Sequence, residues 1–268
     1  MPDVFANITE ASPQALEMIA SVLELRASIP QQQDMLRTYL RDIDFPERAR
    51  VLEVGCGTGP VARLLAGWPR VGEVVGVDPS PHLIEKARAL SSGAPHLTFE
   101  LGDGKALRFE KASFDVVILH TVLTHVPSPE AILAEAHRVL RPGGWLGVCD
   151  GDFSTATLST GDLDPLQVCV EAFVEGFVND RWMVRRMSGL AASVGFEVSP
   201  LRSYGLVETV KPGLTLTWVE RGADLLASRG RIGKELAAAL KAEAKHRAEN
   251  GAFFGYMAYA SMVGRKPR

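Results

Sequence analysis

Three glycines, Gly55, Gly57 and Gly59, alternate through the stretch VLEVGCGTG, with Cys56 between the first two and Glu53 two residues ahead. Alternating glycines let a backbone turn tightly and approach a ligand with no Cβ in the way. The N–H groups that open the following helix face such a ligand, and either a pyrophosphate or an amino-acid carboxylate suits them. The dinucleotide fingerprint is spaced G-x-G-x-x-G; here the third glycine comes one residue early. Glu53 repels a diphosphate and attracts a cation. Two more carboxylates close strand-like runs. Asp78, followed by Pro79, ends VVGV and can accept both hydroxyls of a ribose. Asp103, between Gly102 and Gly104, follows LTFEL and can accept from an exocyclic amine such as that of adenine. Together these groups suit a nucleoside joined to an amino acid.

His120 and Thr121 end FDVVIL, at the crevice where open α/β sheets bind ligands. His120 is therefore a ligand contact first and a general base second; no residue is assigned as catalytic, and His120 is the candidate. His125 stands five residues on, not at the i, i+4 spacing of a zinc-binding H-E-x-x-H, and no metal site is expected. It reads as a structural residue opening the next helix. Cys56 reads as a small loop residue, not a nucleophile.

The elements that must position these groups alternate strand and helix. Strands are expected at Val51–Val54, Val74–Val77, Leu97–Leu101, Phe114–Leu119 and Trp145–Asp150, and helices at Val61–Leu65, His82–Leu90 and Glu130–Leu140, with a tight turn at Arg141–Gly144. Such alternation gives a parallel sheet with right-handed crossovers. The nearly all-apolar fourth strand reads as central. Ser12-Pro13 marks a helix start, with Leu16, Ile19 and Leu23 at helical spacing, and a second helix is expected before Pro46. Beyond Asp150 the pattern predicts helices over 165–178, 181–194, 215–227 and 232–248, and strands within 196–210 and over 253–265 that pair antiparallel. The fold class is α/β: a doubly wound, mostly parallel seven-stranded sheet with helical cap segments. The division is N-terminal helices over 1–48, a ligand-binding core over 49–153, and cap helices plus the last two strands over 154–268.

EVGCGTG, VVGVDPS, GDGKALRFEKASFDVVILHTVLTHV and RVLRPGGWLGVCD together resemble the class I S-adenosylmethionine-dependent methyltransferases, nearest the small-molecule branch that includes ubiquinone/menaquinone-biosynthesis C-methyltransferases. The resemblance is strong over 48–150 and weaker outside. It implies that the glycine loop holds the methionine moiety, Asp78 the ribose and Asp103 the adenine, with His120 and Thr121 beside the methionine part. The cofactor-binding set is thus Glu53, Gly55, Cys56, Gly57, Gly59, Asp78, Pro79, Gly102, Asp103, Gly104, His120 and Thr121, and the cofactor S-adenosyl-L-methionine. After the fourth strand the chain has neither the Asn/Asp-Pro-Pro-Tyr/Phe motif of amide and amino-purine methyltransferases nor a metal-binding acid, so DNA, protein-glutamine and catechol acceptors lose weight. The implied activity is methyl transfer to a C, O or N atom of a small molecule. The alternatives are a protein or RNA methyltransferase, a cofactor-binding protein of this fold that does not methylate, and a nicotinamide-dependent oxidoreductase, which the early third glycine and Glu53 oppose.

Composition narrows the partners. The 268 residues carry 29 basic and 32 acidic side chains, a net charge of -3, which offers no broad positive field for nucleic acid. The basic residues Arg231, Lys234, Lys241, Lys245 and Arg247 are interleaved with glutamates and read as a solvated helix face. Three cysteines, Cys56, Cys149 and Cys169, form no disulfide framework and suit a reducing, cytoplasmic setting. The first twenty residues show no basic segment followed by an apolar run, so no secretory signal is expected, and no apolar stretch is long enough for a membrane span. The acceptor chamber is expected from the N-terminal helices, residues 151–181 and residues 213–250. Gly151, Asp152 and Phe153 should face the acceptor; Phe173, Phe177, Trp182 and Trp218 suit either its apolar lining or core packing.

Overall fold

The structure, a computed structural model, describes residues 8–268; residues 1–7, the opening of the segment read for a secretory signal, lie outside them. Two helices come first, α1 (Pro13–Ser28) and α2 (Pro30–Leu40). The Ser12 hydroxyl caps α1 by accepting from the Ala15 N–H at 3.2 Å. Pro30 cannot donate to the preceding turn, so the chain breaks at Ile29 and restarts. The alternating core follows: β1 (Ala49–Val54), α3 (Pro60–Ala66), β2 (Val71–Asp78), α4 (Pro81–Leu90), β3 (Leu97–Leu101), β4 (Phe114–His120), α5 (Pro129–Val139) and β5 (Leu140–Thr157). Then come α6 (Gln167–Phe177), α7 (Met187–Ser193), β6 (Glu197–Val198), β7 (Arg202–Glu208), α8 (Leu214–Ser228), α9 (Lys234–Glu249) and β8 (Gly255–Arg265).

The sheet order is β3-β2-β1-β4-β5-β8-β6, with β7 beside β8 on the same flank as β6. β1 to β5 are parallel and β8 runs antiparallel to β5. Successive residues of β4 feed opposite faces. Val116 and Ile118 join the layer that holds Tyr39, Leu40 and Leu65; Val117 and Leu119 join the layer that holds Leu133, Val139 and Met187. Burial on both faces is why this strand reads as one apolar run. Because β1, β2 and β4 are parallel, their last residues Val54, Asp78 and His120 share one edge.

The structure corrects the reading in four places. The stretch 196–210 is two pieces, because Pro200 brings no N–H to the ladder; Ser199 bridges the break, its N–H donating to the Val263 carbonyl at 2.8 Å. β5 does not stop at Asp150 but runs to Thr157, and Arg141–Gly144 is a bulge within it: between the Phe114–Leu140 and Val116–Trp145 pairs, β4 advances by two residues and β5 by five. The helix expected over 181–194 is a short 3-10 turn (Met183–Arg185) followed by α7. His125 closes a 3-10 turn (Leu123–His125) instead of opening α5.

The cap helices explain two groups of side chains. Phe173 and Trp218 stack at 5.7 Å between α6 and α8, and Arg221 lies 4.0 Å over the Phe177 ring, so these aromatics are core. Trp182 is 48% exposed and carries the Arg185 guanidinium 4.6 Å over its ring. The basic face of α9 is spent largely on ion pairs, Lys241 with Asp224 and Lys245 with Glu220. Arg247 departs from a solvated face altogether. It reaches the buried Asp164 at 2.6 Å and holds that carboxyl well below the usual range, although burial works the other way.

Candidate functional site

A cavity of about 260 Å³ opens at the C-terminal ends of β1, β2 and β4. Its floor is the glycine loop. Gly57 has φ +55°, and a Cβ there would come within 2.7 Å of Leu23 on α1; a Cβ on Gly55, at φ +73°, would meet Val122 at the same distance. The loop is thus pressed between the first helix and the segment after β4, and only glycine fits both the dihedral and the gap. Thr121, with φ +58°, turns the chain sharply out of β4 while its N–H donates to the Cys149 carbonyl at 2.7 Å. A threonine in that region is costly, and such strain gathers where a site needs it.

Of the residues expected to bind, the cavity wall brings together Glu53, Gly55, Cys56, Gly57, Asp78, Pro79, Asp103, Gly104, His120 and Thr121. Gly59 and Gly102 stand outside the wall. Gly59 is the left-handed N-cap of α3, packed on Phe99. Gly102 donates its N–H to the Asp78 carbonyl at 3.1 Å. Gly151, Asp152 and Phe153 also lie outside it, since the extended β5 takes them into the sheet and Asp152 pairs with Arg185 at 3.4 Å.

The side chains in the wall differ in what they have left to give. The Asp78 carboxylate accepts from the Gly57 and Ser80 N–H groups, each at 2.9 Å, which ties loop to strand and leaves further lone pairs toward the cavity. Burial pushes its pKa up to about 6. Glu53 is buried on β1, and its Oε2 has no hydrogen-bond partner among the described residues. Burial, reinforced by the Asp78 charge, pushes it up to about 8. A cation at Oε2 would restore the charged form. Arg26 stands close enough to oppose that rise and forms part of the same wall. Asp103 lies at the more open rim, its Oδ1 accepting from the Lys105 N–H at 2.9 Å.

His120 is buried, and its Nδ1 lies 3.2 Å from the Tyr39 hydroxyl. Burial, helped by the Arg26 charge, lowers its pKa to about 3. The ring is therefore neutral at physiological pH, a contact and hydrogen-bonding group rather than a proton store. Burial pushes the Cys56 thiol well above its ordinary range, so no thiolate nucleophile is available. The roof comes from Ile8, Thr9 and Leu23 and from Val122, His125 and Pro127 after β4. That second segment is fastened by Asp150, which accepts from the Thr124 hydroxyl at 2.5 Å, the Thr124 N–H at 3.1 Å and the Gly151 N–H at 3.0 Å. α1 is fastened by Glu24, paired with Arg63 of α3 at 2.7 Å, and by Glu17, paired with Lys86 of α4 at 2.8 Å.

Sequence reasoning missed Arg26 and His125. The signal for Arg26 was its place three residues after Leu23, an arginine on the apolar stripe of α1 where the core side should carry none. For His125 no sequence signal separates a wall position from a cap.

Residues 52–148 match the family model described as a methyltransferase domain. The demethylmenaquinone methyltransferase of Staphylococcus saprophyticus is 30% identical over 148 residues, covering 55% of this chain and 60% of that one. The YcgJ protein of Bacillus subtilis superposes with a TM-score of 0.62 at 18% identity, over 88% of this chain and 99% of its own. The [4+2]-cyclase SpnF superposes at 0.56 with 21% identity, over 90% of this chain and 85% of its own. At these identities the structural likenesses show the fold and not the chemistry. The chain spans between 41% and 60% of the length of the curated relatives it matches.

A parallel sheet in this order, with a glycine loop and carboxylates on its C-terminal edge, defines a Rossmann-like nucleoside-binding protein. Within that class residues 52–148 match a methyltransferase domain, the part of the chain that resembles the class I S-adenosylmethionine-dependent methyltransferases. S-adenosylmethionine is the cofactor of the class, and the residues present fit it: Glu53 with an unmet carboxylate oxygen, Arg26 in the same wall, and Asp78 at the end of the next strand.

Proposed function

We propose that the protein transfers a methyl group from S-adenosylmethionine to a small-molecule acceptor. The observation that carries this is the unpartnered Glu53 oxygen with Arg26 and Asp78 in one cavity wall. An amino-acid head needs an anion for its ammonium and a cation for its carboxylate, and a ribose needs an acceptor for its hydroxyls. Glu53, Arg26 and Asp78 supply these in that order, and Asp103 at the rim takes the adenine amine.

Held by Glu53, Arg26 and Asp78, the cofactor would supply an electrophilic methyl group on a sulfonium, with a neutral thioether as the leaving group. The chain's own residues do the rest. The glycine loop and Asp78 hold one end, while the neutral His120, fixed by Tyr39, holds the wall without competing for a proton. Leu23, Val122 and Ile8 exclude water. Alignment of this kind can contribute on the order of 7–11 kcal/mol, so no acid–base pair is required.

In this reading residues 49–153 carry the cofactor, and the N-terminal helices within 1–48 close it, with 154–268 completing the sheet and cap. The three cysteines are buried and unpaired, which supports a cytoplasmic setting; no helix among the described residues is long and apolar enough to cross a membrane. Calorimetric titration with S-adenosylhomocysteine and with NAD tests the reading. Binding of the first and silence with the second is the expected result; the reverse overturns it.

A further inference from the structure

Behind the cofactor cavity lies a second, of about 300 Å³, between α1, α2 and α3. The two share Arg26, Pro60, Val61 and His120 as a common wall. Its size is at the low end for small-molecule sites.

Its charges are unbalanced. Three guanidiniums line it, from Arg26, Arg37 and Arg63, against one carboxylate, Glu24. Arg63 is spent: it donates to both Glu24 oxygens, at 2.9 and 2.7 Å, and to the Thr58 carbonyl at 2.7 Å. Arg37 is not. It makes one bond, to the neutral Gln33 amide oxygen at 3.3 Å, and no carboxylate pairs with it among the described residues. A guanidinium with donors to spare, beside a cavity, selects an anion with two coplanar oxygens.

Gln32 is the second observation. It is 3% exposed, belongs to the same wall, and neither its amide nitrogen nor its amide oxygen has a partner at full hydrogen-bond geometry among the described residues. The Tyr259 phenol interacts with the amide, a hydrogen-bonding contact that holds the phenol below where burial alone would put it but falls short of full hydrogen-bond geometry. Buried amides are satisfied as a rule, and one left without partners costs about 1–3 kcal/mol. The amide offers N–H groups to a carboxylate and an oxygen to a hydroxyl.

We propose that this second cavity is the acceptor subsite, and that it takes a small hydroxylated carboxylate, the anion held by Arg37 and the Gln32 amide. The assignment rests on the methyl-transfer reading, because it is the shared His120 wall that brings such a ligand to the cofactor. Arg37 and Gln32 line the second cavity and not the cofactor cavity, so they report on the acceptor and not on the cofactor.

The test is a titration of protein saturated with S-adenosylhomocysteine, using three acids and their amides: salicylate and salicylamide, 4-hydroxybenzoate and 4-hydroxybenzamide, lactate and lactamide. The expected result is that at least one acid binds about tenfold or more tighter than its amide, the loss of one charge-assisted pair. Arg37→Gln should erase that preference. Gln32→Leu should weaken the acid with no fall in Tm, since it removes an unsatisfied polar group. Both variants should bind S-adenosylhomocysteine as the wild type does. Cofactor binding intact with no acid preferred over its amide overturns the subsite alone, as does a preference that survives Arg37→Gln. A Tm lowered by about 5 °C or more in Gln32→Leu would mean that the amide is partnered in the fold, and overturns it too. Failure of the wild type to bind S-adenosylhomocysteine at all strikes the methyl-transfer reading instead.

Discussion

Two buried carboxylates, on the strands either side of β4, are used in opposite ways. Asp150, on β5, has both oxygens occupied by chain donors from Thr124 and Gly151. Glu53, on β1, has an oxygen that nothing in the described chain meets. Burial raises the pKa of both. The first is a fastening, holding the roof segment after β4 to the sheet. The second keeps an oxygen that the described chain does not use. Burial by itself does not mark a binding carboxylate; burial with an unmet lone pair does. Asp78 is intermediate, with two backbone partners and a face on the cavity.

The largest expected effect is on the fastening. Asp150→Ala leaves buried donors on Thr124 and Gly151 unpaired, a loss of about 3–5 kcal/mol. Thermal unfolding should show Tm lower by roughly 10 °C, with Asp150→Asn milder because it keeps an acceptor. A Tm within error of wild type in Asp150→Ala would break the contrast.

Asp78→Ala comes next and should act on both sides. Loss of the two ribose hydrogen bonds predicts cofactor binding weaker by about 100-fold, from roughly 1.5–3 kcal/mol each before compensation. A smaller drop in Tm should accompany it as Gly57 loses its partner. Unchanged affinity with an intact circular dichroism spectrum would remove Asp78 from the site.

Glu53→Gln should weaken cofactor binding by about 10- to 30-fold, the loss of one charge-assisted bond. Its effect on the free protein has the opposite sign. Burial raises Glu53 from an ordinary glutamate value of 4.5 to about 8 in the fold. The fold favours its protonated form, so this contribution is complete below about pH 4.5 and is lost as pH rises toward 8. The ligand-free variant should therefore be more stable than wild type at pH 8 and no more stable at pH 4. A lower Tm at pH 8 would show that Glu53 is a fastening after all.

The smallest effect is a proton. At pH 7 the free Glu53 is mostly protonated, and a bound ammonium would ionise it. Binding of S-adenosylhomocysteine should then release up to about one proton, read as a difference in calorimetric enthalpy between phosphate and Tris buffers. The difference should vanish in Glu53→Gln.

Much of this was legible beforehand. VLEV, VVGV and FDVVIL are parallel strands because they are apolar on both faces, and the residues that close them, among them Asp78 and His120, reach the cavity because parallel strands end on one edge. What went unread was long-range. The continuation of β5 through Asp152 and Phe153 depends on pairing with β8, a strand about 100 residues later in the chain. Phe173 and Trp218 could be chamber or core until α6 and α8 were packed together.

The sequence by itself determined the strand–helix order, the turn at Gly55 to Gly59 and the acids at the strand ends. These are local consequences of periodicity, glycine dihedrals and strand termini, available within a few residues of each position. Only the tertiary structure decided which polar side chains are spent and which are left over. Asp150 and Glu53 are both acids in strands, and Gln32 and Gln33 are adjacent amides on one helix. Gln33 donates to the Ala27 carbonyl at 2.9 Å, and Gln32 finds no partner at full hydrogen-bond geometry among the described residues. A hydrogen-bond partner belongs to the surroundings and not to the residue, and those surroundings exist only once α1 and α2 have docked across the edge of the sheet.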